Sequence, residues 1–498
     1  MPRSLLATDG YKFSMAEAGW PLRHETFYYA HRRGGAQVVP LDLEALVRGL
    51  LPLPKDEDYA YLASHEYEMG AGYKAAMKDV ARVTVSALPR GAVFLPREPV
   101  VSVTGPSAIV SWLEPLLLQV NYRIQIATLA LADRAALERA VAVVTCEAQK
   151  AIVLETLDAV GAPAPSIAVD EAGYRARVIA QAKGLVAIVG QASRIFEVGL
   201  RAATCVEQHR IALEACKEAG VERTSNVELA RDLGMVPVGT MGHEHVQRYG
   251  SDDAAFRAMH ERRPQRSSYL LDTFDTMASG IPVAFELIAE SRTTSGDSIR
   301  FDSGDKEAQY RFATSEALRR GIRPVMILED GFDAEMTARF EELRREVGWR
   351  ENEQFYGYGG YLVARTAGSE LTRDRVAAVY KLCQTGRTPT MKFGNEITSG
   401  TSGKESIPGR PVVFRRRPRV DQRHDENGDA ARGPLGIVGQ EGETPPDGWV
   451  QLTGATEKDA RALLAPETKV ADADLVLGTS PRTTALVDAL RKKRLVPS

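Results

Sequence analysis

Short apolar runs recur through the middle of the chain, each followed by small or acidic residues and then by an amphipathic stretch. Residues 235–239, 269–271, 298–301, 324–328 and 354–357 have the length and apolar character of buried strands. Between them, residues 306–320 and 333–347 carry apolar side chains at intervals of three and four, the period of a helix with one buried face. Successive units stand about thirty residues apart, the size of a βα repeat. Such a series folds as a (β/α) barrel or as an open doubly wound sheet.

The polar residues after the strands bear on that choice. Thr240 with His243, Asp272 with Asp275, Asp302 with Asp305, Asp330, and Gly359 with Gly360 all follow predicted strand ends. In a barrel those ends ring one mouth, where active sites assemble. Any single Asp there is equally well read as a helix N-cap, but five such positions in series favour a site. No G-x-G-x-x-G follows a first strand, which weakens the dinucleotide-sheet option. The expected fold is therefore α/β. An irregular (β/α) barrel spans 131–394, and an additional α/β domain is built from 1–130 and completed by the C-terminal segment 395–498. Arg415-Arg-Arg-Pro-Arg419 and residues 421–429 read as exposed loop, and residues 457–464 and 483–494 as surface helices.

Composition narrows the class. The chain has 498 residues, 44% hydrophobic and 26% charged, an ordinary globular balance with length for a large core. A net charge of −3 supplies no basic field for nucleic acid. The cysteines at 146, 205, 216 and 383 form no C-x-x-C pair, which argues against a disulfide framework or structural zinc and fits a reducing compartment. The greasiest stretch, 108–146, is broken by Glu114, Arg123, Asp133, Arg134, Glu138 and Arg139, so it does not read as a membrane span. The first ten residues lack a signal-peptide core. The expectation is a cytoplasmic protein with neither nucleic-acid nor membrane partners.

The most specific stretch runs from 224 to 246. Thr224-Ser-Asn226 opens a helical pattern, and a strand follows that ends in Gly239-Thr-Met-Gly-His-Glu244. Imidazole is a nucleophile near neutral pH and can hold a phosphoryl group transiently, and a neighbouring carboxylate can orient the ring. This stretch resembles the nicotinate phosphoribosyltransferases, whose histidine at the position of His243 is phosphorylated by ATP. The resemblance covers most of residues 4–410. It implies His243, Glu244 and Asp302 as catalytic residues and Thr240 as a phosphate-side residue.

Other segments carry the resemblance further. Leu5-Leu-Ala-Thr-Asp-Gly-Tyr-Lys12 is similar to an opening motif shared with the nicotinamide phosphoribosyltransferases. There the aspartate and tyrosine reach the partner subunit's site, which implies Asp9, Tyr11 and a homodimer. Thr26-Phe-Tyr-Tyr-Ala-His-Arg32 resembles the strand whose arginine meets pyrophosphate; Arg32 is the match, with Arg33 next to it. Phe196-Glu-Val-Gly-Leu-Arg201 resembles the family segment whose arginine faces the base carboxylate, which implies Arg201 in that role, in keeping with fork-shaped pairing. Val198 stands where an aromatic normally stacks on the pyridine. Ser225 replaces the aspartate of nicotinamide-using relatives, which would repel a carboxylate.

On the sugar-phosphate side, Arg300-Phe-Asp-Ser-Gly-Asp305 resembles the family's ribose- and phosphate-holding segment, and Asp330 sits where a second ribose-contacting aspartate is expected. Gly357-Tyr-Gly-Gly360 reads as a phosphate cradle, with Gly359 and Gly360 admitting backbone N–H groups to an anion. Arg373 in Leu371-Thr-Arg-Asp374, and then Lys381, Lys392 and Lys404, are further anion-facing candidates. Arg223 and Glu329 depart from the family pattern.

The reaction so implied joins nicotinate to phosphoribosyl pyrophosphate (PRPP), giving nicotinate mononucleotide and pyrophosphate, with ATP hydrolysis coupled through phospho-His243. Mg²⁺ is expected through substrate and water, with no direct protein ligand. The alternatives are a nicotinamide phosphoribosyltransferase and a catalytically drifted nucleotide-binding paralogue.

Overall fold

The computed structural model describes residues 3–20, 22–290, 296–364, 371–393, 405–416, 436–455 and 477–494. Lys404, residues 421–429 and residues 457–464 lie outside them. Apart from four two-residue strands that pair among themselves, three strands come first, β1 (His24–His31), β2 (Thr84–Ala87) and β3 (Val101–Pro106). Seven follow in the middle of the chain: β4 (Ile195–Glu197), β5 (Arg223–Thr224), β6 (Val236–Pro237), β7 (Ser268–Leu270), β8 (Ser298–Phe301), β9 (Val325–Leu328) and β10 (Gln354–Tyr358). The last six are β11 (Ala378–Thr385), β12 (Thr388–Pro389), β13 (Pro411–Arg416), β14 (Gly436–Gln440), β15 (Trp449–Gln451) and β16 (Leu477–Thr479).

The seven middle strands form one parallel sheet in the order β6-β5-β4-β10-β9-β8-β7. That is the cyclic order of consecutive barrel strands, opened between β6 and β7. β8 is buried along its whole length, as a strand covered on both faces must be. The helices Lys306–Arg320 and Ala334–Glu346 fall where the apolar periodicity puts them. Asp305 and Asp333 cap them by accepting from Ala308 N and Met336 N, and Asp275 caps the turn after β7. Two of the strand-end aspartates, Asp275 and Asp305, are thus helix caps. Asp272, Asp302 and Asp330 have another use.

The strand expected over 235–239 is reduced to two residues. The opening segment packs against its end: Asp9 bridges Asn226, and a Cβ on Gly10 would lie 2.2 Å from the Val238 carbonyl oxygen. Only glycine allows that approach.

β12-β11-β1-β3-β2 make an antiparallel sheet. Apolar helices between Ser107 and Ala132 pack against it around Phe27, Tyr29, Val103 and Tyr380. β11 was assigned with the barrel by sequence; it pairs instead with β1, so the chain leaves the barrel before residue 378. The C-terminal segment adds the sheet β15-β13-β14-β16, whose Val413 and Leu452 join the N-terminal core. Arg415 departs from the exposed-loop reading, while Arg416 is exposed and residues 417–419 lie outside the described residues. Arg415 lies in β13, fully buried, with its guanidinium on the equally buried Glu98 and its Nη2 3.1 Å from the Val93 carbonyl. A charge removed from water this completely requires such a partner. No helix among the described residues is long and apolar enough to cross a membrane.

Candidate active site

A cavity of about 420 Å³ opens between the ends of the parallel strands and the antiparallel sheet. His243 stands at the start of the helix His243–Tyr249, in the gap between β6 and β7. Its Nδ1 is 3.0 Å from Thr273 Oγ1, and its Nε2 is 2.7 Å from Lys392 Nζ and 3.3 Å from Asp302 Oδ2. Burial, reinforced by Lys392, lowers the pKa of His243 to about 4, so the ring is neutral at pH 7. An ammonium can only donate, so the network assigns the Nε2 lone pair to Lys392 and the Nδ1 proton to Thr273. Nε2 is then the nucleophilic atom.

Two carboxylates frame that nitrogen. Asp272 Oδ2 accepts from Ser303 Oγ and lies 3.4 Å from Lys392 Nζ, while its Oδ1 is buried without a hydrogen bond. Burial alone would raise the pKa of Asp272, but Lys392 beside it outweighs burial. Asp302 is held well down against burial, with Arg300 and Lys392 the cations that favour its ionised form. One donor atom each from His243, Asp272 and Asp302 lies within 4.8 Å of the others, a spacing that suits a cation, and Lys392 supplies one.

Arg300 carries the charge pattern onward from β8. Its Nη1 donates to Thr240 Oγ1 at 2.6 Å, its Nη2 to Asp302 Oδ1 at 3.3 Å, and Glu329 stands 3.7 Å away. Arg32, Arg373, Lys381 and Asp330 line the same cavity. The Arg33 guanidinium is taken up by the Asp374 carbonyl, which leaves Arg32 as the member of the pair facing Arg373 and Asp330. Burial, then Lys392 and Arg32, lowers the Lys381 pKa to about 7. Gly359 and Gly360 close this wall: a Cβ on Gly359 would come within 3.2 Å of the Val198 carbonyl oxygen, and one on Gly360 within 3.0 Å of Asp374 Oδ2.

In the same cavity, the Arg201 guanidinium lies 5.6 Å from the Tyr11 ring centroid, and Val198 is part of the lining. Arg201 is already faced by carboxylates, Asp9 at 3.4 Å and Glu114 at 3.7 Å. Glu114 accepts from Tyr11 Oη and from Lys12 Nζ, the latter at 2.7 Å. Burial would raise the Glu114 pKa, but Lys12 and Arg201 hold the group ionised.

No family model matches the sequence. A nicotinate phosphoribosyltransferase of Bos taurus is 26% identical over 440 residues, covering 82% of this chain and 76% of the bovine protein. One from Mycobacterium tuberculosis is 28% identical over 247 residues, 49% of this chain and 47% of that protein. The chain is a homologue of the nicotinate phosphoribosyltransferases. Solved structures of such enzymes from Porphyromonas gingivalis (18% identity, TM-score 0.56, 81% of this chain and 96% of that one) and Vibrio cholerae (18%, 0.55, 80% and 90%) share the fold.

Against that kinship, several residues sit differently from the expectation. Tyr11 reaches the cavity of its own chain, beside Gly242 and His243, because Gly10 locks the opening segment onto residues 238–239 of the same polypeptide. Asp9 and Ser225 do not line the cavity; the Ser225 hydroxyl donates to Asp9 at 2.7 Å, and Asp9 in turn faces Arg201. Burial raises the Asp9 pKa despite Arg201 and Ser225. Thr240 holds Arg300 and is likewise absent from the lining. Glu244 lines the cavity but does not orient His243; it accepts from Lys12 Nζ at 2.7 Å and from Ser111 Oγ at 2.8 Å. Thr273 does the orienting.

Three further residues, Lys12, Glu114 and Thr273, join the site only in the structure. Lys12 closes the opening motif, and Glu114 is a lone acid in an apolar run, so both left a trace in the sequence. The two departures from the family pattern also find places. Arg223 lies over the rings of Phe196 and Phe355, and Glu329 packs against Gly357, where any Cβ would collide with it.

Proposed function

We propose that the chain transfers the phosphoribosyl group of PRPP to nicotinate, forming nicotinate mononucleotide and pyrophosphate, and that it couples the reaction to ATP hydrolysis through phospho-His243. The observation that carries this reading is the lining of one cavity. It brings together a guanidinium with an aromatic ring, Arg201 and Tyr11, the further cations Arg300, Arg32, Arg373 and Lys381, and a neutral histidine. The bond to the anomeric carbon breaks through an oxocarbenium-like state, so the protein's work is to hold base and sugar and to stabilise departing pyrophosphate.

In the coupling step the Nε2 lone pair attacks the γ-phosphorus of ATP, the N–P bond forms as the bond to the bridging oxygen breaks, and ADP leaves. Thr273 keeps the Nδ1 proton during attack. Lys392, beside Nε2, is placed to face the incoming phosphoryl group. The residues also suit Mg²⁺ held through substrate and water: Asp272 has a buried oxygen without a hydrogen bond, and Asp302 is partly open to the cavity. When bound, the ion supplies charge neutralisation for the phosphate oxygens. A homodimer and a cytoplasmic location are part of the proposal by kinship only, since Tyr11 no longer argues for a shared site.

A second reading takes nicotinamide as the base. Arg201 is already neutralised by Asp9 and Glu114, and Glu114 could accept from a carboxamide N–H. Turnover of both bases with PRPP, Mg²⁺ and with or without ATP, read by chromatography of the mononucleotides, decides. Nicotinate mononucleotide in ATP-stimulated excess is the expected result; faster nicotinamide turnover replaces the first reading with the second, and no turnover of either base rejects both.

A further inference from the structure

The four cysteines look scattered in the sequence, yet two of them meet. Cys146 Sγ and Cys205 Sγ lie 3.9 Å apart, both buried, and both thiols are free. Each is the N-cap of a 13-residue helix, Glu147–Ala159 and Val206–Glu218, and their backbones are nearly superposable at φ −158°, ψ 164° and φ −158°, ψ 167°. The local sequences repeat as well: Thr145-Cys-Glu-Ala-Gln149 and Thr204-Cys-Val-Glu-Gln208. In both, the glutamine side-chain oxygen accepts from the threonine backbone N–H at 2.7 Å and from its hydroxyl, at 2.7 Å in the first and 2.9 Å in the second. Two helices therefore meet with their positive ends turned toward one pair of sulfurs.

We propose that Cys146 and Cys205 are a peroxide-sensitive dithiol that closes reversibly to a disulfide and thereby shifts the segment carrying Arg201. The two helix N-termini favour a thiolate at this spot. The hydrogen bond between the two sulfurs is the main cause that lowers the Cys146 pKa to about 7 and raises that of Cys205. The Cys146 thiolate attacks a peroxide oxygen, the O–O bond breaks, and the leaving hydroxide takes up the proton that Cys146 shed on ionising, giving a sulfenic acid and water. The Cys205 sulfur, losing its proton, then attacks Cys146 Sγ; the S–S bond forms, the S–O bond breaks, and the departing hydroxide takes up that proton as water. Two thiols are oxidised and one hydrogen peroxide is reduced to two waters.

Closure to a bonded distance of about 2.05 Å requires the sulfurs to approach by roughly 2 Å. Cys205 stands two residues beyond the short turn in which Ala202 N and Ala203 N donate to the Gly199 carbonyl, and that turn holds Arg201 and Ala202, both in the cavity wall. Nothing else among the described cysteines is so placed: Cys216 and Cys383 are buried, and burial raises both.

The full-length protein is treated with hydrogen peroxide, quenched, denatured, alkylated and digested without reductant. The expected product is a 146–205 cross-linked peptide, reversed by dithiothreitol, with Cys216 and Cys383 alkylated. Recovery of Cys146 and Cys205 as free thiols, or of Cys146 over-oxidised without a cross-link, overturns the proposal. Cys205→Ser should leave Cys146 as a sulfenic acid captured by a cyclic 1,3-dione; an uncaptured Cys146 overturns the order of steps. The coupling to Arg201 rests on the proposed transferase reading and has its own readout. Oxidation should raise KM for the base several-fold in the wild type and not in Cys146→Ser, and a cross-linked enzyme with unchanged KM overturns that link alone.

Discussion

Lys392 Nζ lies 2.7 Å from Nε2 of His243, so the most exposed lone pair of the imidazole points at an ammonium rather than at a proton acceptor. That contact, with burial, keeps the ring neutral and marks Nε2 as the atom that reacts. Replacing His243 by Ala should abolish ATP hydrolysis and the ATP stimulation of product formation, leaving a weak uncoupled transferase. ATPase and mononucleotide assays on the folded variant check this; undiminished ATPase would rule out phospho-His243.

Tyr11 and His243 share one cavity within one polypeptide. Co-expressed chains carrying Tyr11→Ala and His243→Ala should therefore give no activity beyond the sum of the two variants, even in purified heterodimers. Restored turnover would show that the opening segment serves a partner's site.

Lys381 titrates near pH 7 because burial and its cationic neighbours oppose its charge. Its charged form, present below that pKa, favours the phosphates of PRPP, and the charge is lost as pH rises through it. KM for PRPP should accordingly climb between pH 6.5 and 8.5, by about tenfold if one charged contact of roughly 1.4 kcal/mol is lost. Lys381→Arg should flatten the profile. An unchanged slope in that variant would assign the pH dependence elsewhere.

Glu114 opposes a carboxylate ligand at Arg201. Glu114→Gln should lower KM for nicotinate relative to nicotinamide by several-fold, an effect on the order of 1 kcal/mol. Ser225→Ala, one contact further away, should raise KM for both bases together by loosening Asp9. Val198→Phe should lower both by restoring a stacking face. A selective change of base preference in Ser225→Ala would return that serine to the base site.

Arg415 and Glu98 bind the C-terminal sheet to the N-terminal core in full burial. Arg415→Ala strands the carboxylate and should cost about 3–5 kcal/mol in urea unfolding, whereas exchanging both residues for apolar ones of similar volume should cost far less. Equal losses from the single and double changes would mean that packing, not charge, governs the contact.

The amino-acid sequence by itself determined the βα series, because a strand or an amphipathic helix is written in neighbouring residues: β8, β9 and the helix Lys306–Arg320 lie where their periodicity puts them. It also marked His243, Arg300 and Asp302 through motifs that are local in the chain. It could not tell Asp302 from Asp305, since one turns into the cavity and the other caps a helix, and at a strand end those uses have the same signature. What the tertiary structure alone decided are the pairings over long separations. Glu114 meets Arg201 and Lys12, Glu98 meets Arg415, Cys146 meets Cys205, and Tyr11 enters its own chain's site. A buried charge or thiol announces its need for a partner in one residue. Which residue answers depends on how sheets and helices pack, and that is fixed by the whole core rather than by any window of sequence.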